Sequence, residues 1–135
     1  MLDSAYTFVL MTSLFTVLGQ LIIKWRIDSI KFSLSGTLSE KLMTIVSLLF
    51  DKFIVIGLIS AVCAAILWMI ALSKLNLSHA YPVIIALVIT LTVLSSVIFL
   101  GETLSFFKIL GIAIILLGLA ILLFGDTHNS IINRN

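Results

Sequence analysis

Charge is scarce in this sequence: Asp, Glu, Lys and Arg make up 10% of its 135 residues, against 61% hydrophobic residues. With a mean hydropathy of +1.33, that scarcity excludes an ordinary soluble domain, in which about a quarter of the residues are charged. The net charge of +2 is too small to build a field for nucleic acid. Cysteine is nearly absent too. Cys63 has no second thiol in the chain, which excludes an intramolecular disulfide and a cysteine-built metal site. His79 and His128 stand far apart, and no HExxH, Walker A, Ser/His/Asp or glycine-rich phosphate motif is present. The chain therefore lacks the usual marks of an enzyme and implies neither cofactor nor metal.

What the sequence does have is long apolar runs. Charges gather in short clusters and leave Ser4 to Ile23, Phe53 to Ser73, Ala80 to Gly101 and Ile109 to Gly125 without any. A bilayer core of roughly 30 Å is crossed by about 17 to 25 helical residues, and all of these runs fit, the last at the short end. The runs are continuously apolar rather than alternating, which argues against a membrane barrel. The fold class expected is all-α, an integral membrane bundle of four transmembrane helices forming one membrane domain over 1–126, followed by a disordered polar tail over 127–135. The helices are expected at about 5–25, 53–73, 80–101 and 106–125. The first run is expected to be retained, because Met1-Leu2-Asp3-Ser4 carries an acid and no base where a signal peptide would be positive. Pro82 places the start of the third helix near Ala80 or Tyr81, since proline is tolerated in a first turn. Glu102 is expected to cap the fourth helix.

Between the first two spans, Thr37-Leu38-Ser39-Glu40 fits a capping box. Leu38, Leu42, Ile45, Val46 and Leu49 then share one face, with Glu40, Lys41, Thr44 and Ser47 on another. Two readings stand for 37–50: an amphipathic interfacial helix, or an early extension of the second span. Basic residues are lopsided. Lys24, Arg26, Lys31, Lys41, Lys52 and Lys108 flank the first and third connections, against Lys74 and Arg134 on the other side. The positive-inside rule then puts both termini outside a bacterial inner membrane.

The polar residues inside the spans are the candidates for function. Thr12, Thr16, Gln20 and Lys24 recur every four residues and so line one face of the first helix. They either bond to neighbouring helices as packing contacts or face a substrate. Gln20 is the most telling, because an amide is costlier to strand in hydrocarbon than a hydroxyl that can bond back to its own helix. Lys24 either snorkels to the headgroups or attracts an anion. Trp68 and Tyr81 belong to an aromatic girdle or edge a cavity for a polar headgroup. Thr90, Thr92, Ser95 and Ser96 rank below Gln20. In the last helix Gly111, Gly118 and Gly125 fall at seven-residue intervals, a smooth stripe suited to dimerisation or to packing within the bundle.

Taken in order, Gly19-Gln20-Leu21 with Lys24, Trp68 with Ala71-Leu72-Ser73, Ala80-Tyr81-Pro82, and Gly101-Glu102-Thr103-Leu104-Ser105 with Gly111 and Gly118 resemble the drug/metabolite transporter superfamily. Among its members the chain looks most like short four-helix EamA-type proteins, in particular the subunits of the aminoarabinose-phosphoundecaprenol flippase, and more distantly the small multidrug resistance transporters. The resemblance implies a homodimer, or a heterodimer with a homologous four-helix subunit. It also implies a passage faced by Gln20 and Lys24 whose mouth Tyr81 and Pro82 shape. Where the small multidrug resistance proteins place a membrane-embedded glutamate, this sequence has Thr16. The carboxylate needed for proton-for-cation exchange is therefore missing. The expected function is flipping of a lipid-linked, polyprenyl-phosphate sugar. The alternatives are export of small amphipathic metabolites or drugs, and a non-transporting accessory subunit of another membrane protein.

Overall fold

The computed structural model describes residues 2–30 and 37–132. The connection around Lys31 and the end of the expected tail, 133–135, lie outside the described residues. The described chain is all helical: α1 Leu2–Ser29, α2 Leu38–Leu49, α3 Lys52–Leu72, α4 Leu77–Leu100 and α5 Phe106–Ile132. Ala5–Ser29, Lys52–Leu72 and Leu77–Leu100 are long and apolar enough to cross a membrane. In α5 the apolar stretch includes Phe106–Leu122. Helical hydrogen bonding continues past Gly125 to Ile132, beyond the point where hydropathy alone would end it.

The centre of the bundle is α1, which packs against α3 and against α4, while α3 and α4 scarcely touch each other. The close α1–α3 approach has a visible cause. A Cβ added to Gly19 would come within 2.8 Å of the Gly57 carbonyl oxygen, so only glycine lets the two backbones meet there. One turn further along α3, buried Ser60 donates from Oγ to the Phe15 carbonyl of α1 at 2.7 Å. In hydrocarbon that bond serves both partners, because no water would replace it. Near the other end Val9, Ala71 and Ile84 form the buried apolar core, with Phe8, Trp68, Leu75 and Leu87 packed around it.

The junction before α3 settles the two readings of 37–50. The segment forms its own helix, in which Glu40 Oε2 accepts from the Thr37 amide at 2.8 Å. It stops at Phe50, and α3 restarts from Asp51, whose carboxylate accepts from the Phe53 and Ile54 amides. The other oxygen of Asp51 accepts from Arg26 Nε at 2.9 Å and Nη2 at 2.6 Å, tying the end of α1 to the start of α3. The Arg26 hydrogen bond holds the Asp51 carboxyl below its ordinary value of 3.8; the two amide bonds add to this, while partial desolvation opposes it.

Two local expectations are corrected. Helix α4 begins a turn before Ala80, with Asn76 at its N-cap and the Ala80 amide donating to the Asn76 carbonyl at 2.9 Å. Pro82 thus lies inside the helix and gives no hydrogen bond to the Ser78 carbonyl. That loss is tolerable because Ser78 is exposed at the helix end. The start of α5 is capped by Ser105 rather than Glu102: Ser105 Oγ accepts from the Lys108 amide at 3.3 Å. Before it, Gly101 takes a left-handed φ of 67° that closes α4.

Candidate functional site

Because α3 and α4 flank α1 without closing on each other, a groove of about 390 Å³ opens between them. Its lining brings together Thr16 and Gln20 of α1, Trp68 of α3 and Tyr81 of α4. These four come from three different helices, and the Trp68 and Tyr81 rings meet at 6.3 Å between centroids. The far wall is low because α3 presents Ala61, Ala64 and Ala65 there. Those alanines carry no chemical signal, and only their clustering on one stretch of an otherwise bulky helix hints at an opening.

Hydrogen bonding within the groove is uneven. Thr12 Oγ1 donates to the Phe8 carbonyl and Thr16 Oγ1 to the Thr12 carbonyl, each at 2.8 Å. These hydroxyls satisfy their donors within α1 and still have lone pairs to offer. Gln20 is engaged across helices, its Oε1 accepting from Thr92 Oγ1 of α4 at 3.1 Å. Packing contact and groove lining are therefore both true of Gln20. Nearby in α4, the buried Thr90 Oγ1 has no hydrogen-bond partner among the described residues.

Lys24 is not part of this groove. It is exposed, pairs with Asp28 at 3.1 Å, and lines a second cavity of about 260 Å³ with Gln20, Thr92, Ser96, Glu102 and Lys108. Gln20 is common to the two cavities. At the opposite end of the bundle, Tyr6 Oη and His79 Nε2 are 2.8 Å apart, and Lys74 sits over the Phe8 ring at 4.8 Å.

Gly111, Gly118 and Gly125 lie on α5, away from both cavities. A Cβ added at any of them meets nothing within 4 Å, and among the described residues α5 packs against α4 alone. No metal-binding cluster of His, Cys, Asp or Glu occurs among the described residues.

Residues 3–124 match the model of a family described as the EamA-like transporter family. No curated protein and no solved structure matches the chain.

Proposed function

Because the chain belongs to the EamA-like transporter family, and so is a multi-pass membrane transporter, we propose that it flips a lipid-linked, polyprenyl-phosphate sugar between the leaflets of a bacterial inner membrane. The observation that carries this reading is the groove shared by Thr16, Gln20, Trp68 and Tyr81. A headgroup crossing hydrocarbon needs polar partners along its path, and the Thr16 and Gln20 acceptors supply them. The aromatic pair at the other end suits the apolar face of a sugar ring. The groove is open at its side, so the hydrocarbon tail stays in lipid while the head passes. No covalent step is involved, and no membrane-embedded acid is needed.

The working unit is a pair, of identical or homologous subunits. Among the described residues, helix α5 packs on one neighbour only, and its glycine stripe faces open space. A second α5 laid along that stripe would cover both. Both termini lie outside, by the distribution of Lys and Arg. A second reading, export of small amphipathic compounds, draws on the same groove, whose lining is largely apolar.

Reconstitution tests the choice. Proteoliposomes loaded with lipid-linked sugar are assayed for sugar exposed at the outer face, with Lys24→Ala and Gln20→Leu compared to the parent chain. The flippase reading expects a loss of flux of about tenfold or more in each variant, from the loss of one charged or amide contact. Undiminished flux in well-folded variants removes their role, and efflux of small compounds with no movement of lipid-linked sugar selects the exporter.

A further inference from the structure

The second cavity has features that the groove lacks. Its lining gathers two ammonium groups, Lys24 from α1 and Lys108 from α5, around the polar side chains of Gln20, Thr92 and Ser96, with Glu102 as the single carboxylate. Among the described residues, neither Lys108 nor Glu102 is engaged in an ion pair, and the partner of Lys24 is an exposed residue one turn away on its own helix. Such an exposed pair is weak and readily exchanged for a better anion. Leu21 and Leu100 continue from this lining into a third, largely apolar cavity of about 350 Å³ between Leu18, Trp25 and Phe99. A pocket lined by two lysines and one glutamate thus shares Leu21 and Leu100 with a largely apolar slot.

We infer that this end of the bundle is a docking site for a phosphate-bearing amphiphile. The phosphate sits between Lys24 and Lys108, and the first carbons of its chain lie along Leu21 and Leu100 into the slot lined by Phe99. Lys24 and Lys108, on different helices, line one pocket, which a single snorkelling lysine does not achieve, and a tetrahedral phosphate offers enough oxygens for both ammonium groups and the adjacent hydroxyls. The chain determines where the ligand comes from, since a free phosphate has no use for the apolar slot. Gln20 stands at the neck between this dock and the groove, held by Thr92, so a headgroup that takes over that hydrogen bond gains entry. The inference rests on the transporter reading for its purpose, but binding at the dock is measurable without transport.

The test uses the 135-residue chain in lipid nanodiscs and two probes, farnesyl phosphate and inorganic phosphate. Farnesyl phosphate should bind the more tightly. Lys108→Gln should weaken both probes by about tenfold or more, Glu102→Gln should strengthen both, and Phe99→Ala should weaken farnesyl phosphate alone. Lys41→Gln, on α2, should change neither. Unaltered farnesyl phosphate binding in a Lys108→Gln variant that melts like the parent overturns the dock, and equal affinity for the two probes overturns the amphiphile in favour of free phosphate. Lipid-linked sugar flux separates this from the function. Binding through Lys108 without any flux leaves the dock standing and removes the flippase, whereas flux that ignores Lys108 does the reverse.

Discussion

At the scale of single residues, some side chains hold two partners at once. Asp51 caps α3 with one oxygen and holds Arg26 of α1 with the other. Its carboxyl titrates below the ordinary 3.8, so the charged form is favoured in the folded state. The stability it contributes is complete above that ordinary value and is lost as pH falls through the lower, folded one. Melting in detergent between pH 6 and pH 3 should show a drop at the acid end that Asp51→Asn does not share; parallel curves would count against the link. Gly19 acts instead through having no side chain. Gly19→Ala forces a methyl group against the Gly57 carbonyl oxygen and should cost about 1–3 kcal/mol, while Gly118→Ala, which meets nothing in the subunit, should leave the subunit's melting unchanged. Thr16 and Gln20 were legible as polar residues in an apolar run. That Gln20 would bond Thr92 while lining two cavities was not, because sequence periodicity fixes a face but not which helix will lie opposite it.

Among the elements, α5 is the anomaly. Long apolar helices were evident from hydropathy, but hydropathy could not reveal that α1 takes the centre and that, among the described residues, α5 rests on α4 alone. A helix carrying Ile114, Leu117 and Ile121 at more than half exposure suits lipid or a second copy equally well, and the glycine stripe favours the copy. Gly118→Ile should therefore reduce crosslinked dimer in membranes while sparing the subunit fold, and a dimer yield equal to the parent's would rule the stripe out as the interface. The start of α4 teaches a similar lesson. Pro82 misplaced the expected boundary because a proline in the second turn forfeits only one hydrogen bond, and that near an exposed end, so the helix can start at Leu77. Likewise, the independence of α2 was set by Asp51 and Arg26, residues far apart in sequence whose pairing only the tertiary fold discloses.

For the molecule as a whole, the proposed transport path requires that an otherwise apolar bundle admit water to the groove beside α1. The groove exists because small residues in α3 and the separation of α3 from α4 leave it unfilled, a consequence of packing that composition does not announce. Water in the groove can be measured directly. In a chain whose own Cys63 is replaced by Ala, a thiol reacts with a water-soluble maleimide only where water ionises it. Thr16→Cys in the groove should label in intact membranes, and Ile59→Cys on the exposed apolar face of α3 should not. If Thr16→Cys proves as inert as Ile59→Cys in a folded protein, the groove is filled with lipid or side chains and the transport path described above is contradicted.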